Sequence, residues 1–249
     1  MSRLSNKVAI VTGASKGIGA TIAKQLASEG AAVVVNYASS KEQAEKVVKD
    51  ITSSGGKAIA VKADVAKQEE IAQLFIEAKK AFGRLDILVN NAGVYEFRAI
   101  EEISEDHFHK MYNLNVLGLL LSIKEAVKYF DDNGGSIVNI SSVASTFAPP
   151  ASAVYSGTKA AVDAATKSLA KELGPRNIRV NSINPGMVET EGLHAAGFAE
   201  GDFRNFIESQ TPLGRIGKTI DIAPAVAFLA SPEASWITGE SWVISGGMR

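Results

Sequence analysis

Short apolar runs alternate along the chain with longer stretches in which apolar residues recur every three or four positions. The runs fall at 8–12 (Val8-Ala9-Ile10-Val11-Thr12), 32–36, 58–61, 85–90, 136–140, 178–183 and 241–244. Most are continuous rather than alternating, the pattern of parallel strands covered on both faces. The helix-like stretches fall at 17–30, 41–54, 67–82, 104–131, 155–174 and 219–230. Strand and helix in this alternation predict βαβ crossovers. The expected fold is α/β, Rossmann-like and doubly wound, with about seven parallel strands and helices on both faces.

Glycines punctuate the expected junctions, among them Gly13, Gly30, Gly55, Gly83, Gly93, Gly134 and Gly174. No repeat, low-complexity tract or linker divides the chain, so a single domain over 1–249 is expected. The connection at 187–214 is long, Gly-rich and carries Phe198, Phe203 and Phe206. Such a segment reads as a substrate lid. Pro224, inside a helix-like run, is expected to start or kink that helix.

Composition mainly excludes. Of 249 residues, 26 are Lys or Arg and 27 are Asp or Glu, a net charge of −1. No basic surplus calls for nucleic acid. Cysteine is absent, which removes disulfides, thiolate nucleophiles and thiolate metal sites. No metal-ligand cluster stands out, so no metal is expected. His107 and His109 sit among charged residues and are expected to face solvent, whereas His194 falls in the lid. No apolar run approaches the ~18 residues of a membrane span, and the first residues have no signal-peptide layout. A soluble, cytoplasmic protein with no membrane partner is expected.

The first candidate chemistry lies between the first strand and the first helix, in Thr12-Gly13-Ala14-Ser15-Lys16-Gly17-Ile18-Gly19. Glycines allow a tight turn and close backbone approach, and a helix N-terminus offers free N–H groups to a pyrophosphate. The end of the second strand bears on cofactor choice. An NAD site usually has Asp or Glu there; here the chain reads Asn36-Tyr37-Ala38-Ser39-Ser40 and the first acid is Glu42. Lys16 and Ser39 could meet a 2′-phosphate, so NADP(H) is the favoured cofactor. Asn36 could serve an NAD ribose, so NAD(H) stays open.

Tyr155 and Lys159 are four apart on an expected helix and share a face. Lowering a phenol pKa from ~10 to ~7 takes about 4 kcal/mol, and a nearby ammonium favours the phenolate. Such a pair could pass a proton to or from a carbonyl oxygen. The spacing alone is weak, because Tyr37 and Lys41 repeat it. Context separates the two: Ser142, thirteen residues before Tyr155, ends an expected parallel strand, where open α/β sheets bind ligands. Lys24, thirteen before Tyr37, lies mid-helix.

Together these residues resemble the classical short-chain dehydrogenase/reductase family over nearly the whole chain. The matching motifs are Gly13, Gly17 and Gly19; Asp64-Val65; Asn90-Asn91-Ala92-Gly93; Asn115, Ser142, Tyr155 and Lys159; and Pro185-Gly186 with Thr190. The resemblance implies an NADP(H)-dependent oxidoreductase that interconverts a ketone or aldehyde and its alcohol. It implies that Ser142 steadies the substrate oxygen and that Tyr155 exchanges the proton. Lys159 would hold the nicotinamide ribose and depress the Tyr155 pKa, Asn115 would hold a water leading to solvent, and Thr190 would bind the carboxamide. Cofactor contacts are expected from Gly13, Ser15, Lys16, Gly17, Ile18 and Gly19, from Asn36, Tyr37 and Ser39, from Asp64 and Val65, and from Asn91, Ala92 and Gly93. Tyr155, Lys159, Pro185, Gly186, Val188 and Thr190 complete that set.

Within the family the chain is similar to 3-oxoacyl-carrier-protein reductases and bacterial glucose 1-dehydrogenases. Acidic Asp131-Asp132 before the fifth strand argues against an acidic carrier, although Arg176 could meet one. Tyr95, Phe97 and Phe147, with Leu193 and the lid aromatics, suit an apolar carbonyl compound. Tyr95, Glu96 and His194 leave a sugar or other alcohol open. The resemblance also implies a homotetramer that pairs the helices at 104–131 and 155–174.

Overall fold

The computed structural model describes residues 2–195, 197 and 199–248. Strand β1 (Val8–Val11) leads into helix α1 (Gly17–Ser28), followed by β2 (Ala32–Tyr37), α2 (Lys41–Ser53), β3 (Lys57–Lys62), α3 (Gln68–Phe82) and β4 (Ile87–Asn90). Helix α4 (Glu105–Tyr112), a π-helical stretch at Asn113–Gly118 and α5 (Leu119–Ala126) precede β5 (Gly135–Ile140). Next come α6 (Ala144–Phe147), α7 (Ala153–Leu173) and β6 (Ile178–Pro185). The chain finishes with β7 (Val188–Glu189), α8 (Glu191–Ala195), α9 (Asp202–Gln210), β8 (Gly217–Lys218), α10 (Thr219–Ala230) and β9 (Ser241–Ile244).

Seven strands form one parallel sheet in the order β3-β2-β1-β4-β5-β6-β9. Side chains alternate across it. Ile10, Val34, Leu88 and Ile137 pack with Leu74 and Phe75 of α3, Ile123 of α5 and Val162 of α7. Ala9, Val33, Val35, Val89 and Val138 pack on the other face with Ile22 and Leu26 of α1 and Val226 and Leu229 of α10. This two-sided burial is why the strands read as unbroken apolar runs. The strand order reverses between β1 and β4, and open α/β sheets bind ligands at the C-terminal strand ends beside such a switch point.

Two expectations need correction. The stretch 104–131 is not one helix: it is interrupted at Asn113–Gly118 and its second half ends at Ala126. A side chain at Gly118 would run into the Val65 carbonyl, so this segment lies hard against the turn after β3. Pro224 neither starts nor breaks α10, which runs through it. Its missing N–H frees one carbonyl, that of Ile220, on a residue half-exposed to water. The long connection after β6 is folded, containing α8, α9 and the β7–β8 pair.

Candidate active site

Both loops at the switch point are tied together by hydrogen bonds. Gly13 has φ +61°, and a side chain there would lie 2.9 Å from the Ala92 Cα. A side chain at Gly19 would meet the Asn91 amide and approach the Gly13 carbonyl to 2.6 Å. Asn91 Nδ2 donates to the Thr12 and Gly13 carbonyls at 2.9 and 3.0 Å. The Thr12 hydroxyl in turn accepts the N–H groups of Asn91 and Ala92, both at 3.0 Å. Ser15 and Ile18 are half-buried beside the loop, while Lys16, the N-cap of α1, is exposed.

Asn36 is 1% exposed; its Oδ1 accepts the Gly13 N–H at 3.1 Å and its Nδ2 donates to the Ala63 carbonyl at 2.9 Å. Its side-chain bonding braces the glycine loop against β3. Tyr37 is buried in the core and Ser39 is exposed. Tyr37 ends β2 and Lys41 opens α2, so that pair never shares a helical face. Asp64 accepts the Ala66 N–H at 3.0 Å in a turn before α3, and Val65 is buried under Gly118.

Ser142, Tyr155, Lys159 and Asn115 converge beyond the ends of β4 and β5. Tyr155 lies in the first turn of α7, with the Lys159 Nζ 5.8 Å from its ring centroid. Ser142 follows β5, and its hydroxyl interacts with the phenol. Lys159 is buried, and its Nζ donates to the Ile140 carbonyl at 2.9 Å. A side chain at Gly93 would stand 3.2 Å from Asn115 Oδ1 and 3.8 Å from Lys159 Nζ, so Gly93 lets both approach. Asn115, in the π-helical stretch, bonds the Val94 N–H and carbonyl and donates to Thr158 Oγ1 at 3.1 Å. Its side chain thus holds the wall loop to α7.

Electrostatics here also depart from expectation. Burial holds the Tyr155 pKa above the ordinary phenol value, with Ser142 acting in the opposite direction. Burial also pulls Lys159 down to about 8, against the attraction of Asp163 one turn along α7. The direction of the Tyr155 shift is opposite to the depression expected from Lys159, with burial its largest cause.

Across the crevice, Pro185 ends β6 and its carbonyl accepts the Val143 N–H at 3.0 Å. A side chain at Gly186 would meet the Ser245 backbone at 3.0 Å. Val188 is buried in β7. Thr190 caps α8 through the Leu193 N–H at 3.2 Å, and its methyl lies 3.5 Å from where a Gly17 side chain would begin. The Gly17 N–H donates to Glu191 Oε2 at 3.0 Å, so an anionic oxygen of the chain itself sits on the amide that opens α1.

The family model described as enoyl-(acyl carrier protein) reductase matches residues 13–249. The chain belongs to the classical short-chain dehydrogenase/reductase family. An uncharacterized oxidoreductase of Methylorubrum extorquens is 57% identical over 249 residues, covering 100% of both chains. A solved short-chain dehydrogenase/reductase of Serratia marcescens is 43% identical with a TM-score of 0.93, covering 99% of each chain. A short-chain dehydrogenase of Burkholderia cenocepacia, solved in complex with NADP, is 38% identical with a TM-score of 0.93, again covering 99% of each.

In this short-chain dehydrogenase/reductase the loop after β4 packs beside Tyr155. Tyr95 and Phe97 lie with ring centroids 6.3 and 6.1 Å from that of Tyr155. Leu193 is buried with Val143 and Ile207, whereas Phe147, Phe203 and Phe206 are exposed. Phe198 lies outside the described residues. His107 was expected in solvent but is 4% exposed, under the wall loop with Nε2 3.9 Å from Glu96 Oε2; His109 is exposed. His194 faces Glu189 at 3.4 Å. Asp131 and Arg176 precede β5 and β6, at the opposite strand ends from Ser142. Within one chain they do not flank the site, so the charge argument about a carrier loses its footing.

Sequence reasoning missed the layer beneath these residues. Asn184 Nδ2 donates to Asp163 Oδ2 at 2.8 Å and to the Ser142 carbonyl at 3.3 Å. Asn90 donates to Asn139 at 3.0 Å, which donates to Thr166 of α7 at 2.9 Å. Two signals were available: Asp163 is four residues beyond Lys159, and Asn184 immediately precedes Pro185-Gly186. Among the described residues no cluster of His, Cys, Asp and Glu suits a metal ion, and no helix is long and apolar enough to cross a membrane.

Proposed function

We propose that this chain is an NADP(H)-dependent carbonyl reductase that reduces a ketone or aldehyde to the alcohol, with Tyr155 as proton donor. The observation that carries the reading is Tyr155 itself. Its hydroxyl bonds that of Ser142, the Lys159 Nζ lies 5.8 Å from its ring centroid, and a phenol of ordinary pKa ~10 keeps its proton at neutral pH. A group held protonated is suited to donate to a developing alkoxide. Ser142, whose hydroxyl reaches the same point, orients the carbonyl oxygen and stabilises its charge. Lys159 places a cation beside both, and Asn115 and Gly93 hold the path to it open.

The crevice suits a dinucleotide. Its glycine loop ends on the N-terminal amides of α1, where the Glu191 carboxylate shows the affinity for an anionic oxygen. Gly13, Ser15, Lys16, Gly17, Ile18 and Gly19 would hold the phosphates and adenosine on one side, with Asp64, Val65, Asn91, Ala92 and Gly93 around the adenine and ribose. Pro185, Gly186, Val188 and Thr190 would line the nicotinamide side. When bound, NADP(H) supplies the hydride. Lys16 is exposed at the loop, and β2 ends without a carboxylate, which favours a 2′-phosphate. The Burkholderia relative was solved with NADP.

We read 187–214 as the lid over this site and the assembly as a homotetramer. Exposed Phe108, Leu117 and Leu120 on and between α4 and α5 support the helix-paired interface. A monomer in light scattering at micromolar concentration overturns that assembly. The reaction is tested by following NADPH and NADH oxidation against a panel of ketones and aldehydes. Faster turnover with NADPH, lost selectively in Lys16→Glu, supports the reading. Turnover only of glucose or simple alcohols with oxidised cofactor replaces it with a sugar or alcohol dehydrogenase.

A further inference from the structure

The loop after β4 has features that its part in holding the cofactor crevice does not require. Tyr95 and Phe97 turn their rings toward Tyr155, whereas Glu96 between them turns to Lys110 of α4. Both rings meet Tyr155 edge-on, at interplanar angles of 65° and 64°, and lie 6.3 Å from each other. They are 38% and 42% exposed. Singly exposed apolar side chains need no explanation. Two adjacent rings that share contact with the proton donor form a continuous aromatic surface at the reacting atoms.

This surface is anchored before any ligand arrives. Glu96 is bonded to Lys110 of α4, lies 3.4 Å from Arg98 and faces buried His107. The Arg98 N–H donates to the Ala151 carbonyl at 2.8 Å, just before α7. On the far side, the Tyr95 hydroxyl lies 3.4 Å from where a Gly192 side chain would begin, so α8 bounds the slot. The rings are thus held between α4, α7 and α8, and little ordering is left for binding to require.

We propose that Tyr95 and Phe97 form an aromatic clamp that selects ketones carried on a flat aromatic ring system, the carbonyl lying next to Tyr155. This rests on the reductase reading above. A planar ring placed against the two exposed rings completes offset or edge-to-face arrangements, which favour an aromatic partner beyond its buried area. A saturated ring or acyl chain of equal size gains only the area.

The decisive comparison is 2-tetralone with 2-decalone. They share a fused bicyclic skeleton and an unconjugated carbonyl, and differ in the aromaticity of the second ring. Each ring contact is worth roughly 2- to 13-fold, so with two contacts kcat/KM should favour 2-tetralone by roughly fivefold or more. Tyr95→Leu and Phe97→Leu should each lower that ratio several-fold, while Tyr95→Phe should preserve it. A ratio near one in the wild type, or one that survives both leucine substitutions, overturns the clamp. Should no ketone be reduced at all, the reductase reading fails, and binding of 2-naphthol measured by calorimetry decides the clamp separately. Tighter binding to the wild type than to the leucine variants supports it, and equal binding overturns it.

Discussion

The two sides of the crevice are built on different principles. On the glycine-loop side nearly every polar side chain is spent on the protein's own backbone: Asn36 on Gly13 and Ala63, Asn91 on Thr12 and Gly13, Thr12 on Asn91 and Ala92. On the other side, which the proposed function assigns to the substrate, Tyr95 and Phe97 present their rings beside Tyr155 and are 38% and 42% exposed. The first arrangement fixes a backbone shape, which is what a ligand read through main-chain N–H groups demands. The second leaves surface to be covered, so it can change with substrate while the first stays constant. On the proposed function, one fold would separate the part that holds the cofactor from the part that chooses a substrate.

Tyr155 lies on the seam, and removing its hydroxyl should have the largest effect. Tyr155→Phe should lower kcat by about 10²- to 10⁴-fold while leaving the melting temperature and NADPH binding close to wild type. Retained turnover would break the proton-donor assignment.

Gly19→Ala strikes the backbone-bonded side. Its Cβ would lie 2.6 Å from the Gly13 carbonyl and meet the Asn91 amide. Overpacking of this kind costs about 1–3 kcal/mol. A melting temperature lowered by several degrees, together with weakened NADPH binding in a fluorescence titration, is expected. An unaffected protein would show the loop to be more compliant than its hydrogen bonds suggest.

Asp163→Asn probes the layer beneath. Lys159 sits at about 8 because burial pulls it down while Asp163 pulls it up. Without that carboxylate its pKa falls further, and the charge is lost at a lower pH. The alkaline limb of kcat/KM should move toward acid, with a several-fold loss at pH 8, and Asp163→Glu should restore much of it. An unmoved limb would mean that the charge on Lys159 does not govern the rate.

The smallest effect should come from the segment after β6, proposed above as a lid. Arg204 bridges Glu189 at 3.2 Å, Glu208 at 3.0 Å and the Ala199 carbonyl at 2.9 Å, all near the surface. Arg204→Ala should raise KM for the ketone about two- to fivefold, since exposed ion pairs contribute little individually. A comparable rise in KM for NADPH would blur the division between the two sides.

The sequence by itself determined the sheet, its parallel direction and the motifs along its C-terminal edge. Burial on both faces writes itself into continuous apolar runs, and a turn that only glycine can make leaves Gly13, Gly17 and Gly19 visible. Tyr155, Lys159 and Ser142 were legible because helical spacing and strand ends are local properties. Only the tertiary structure decided what depends on neighbours distant in the chain. Asn36 braces the glycine loop because the Gly13 amide and the Ala63 carbonyl close on it. His107 went under the wall loop because Glu96 reaches back to α4. The phenol of Tyr155 rose rather than fell because desolvation is set by everything packed around it, and no spacing rule encodes that sum.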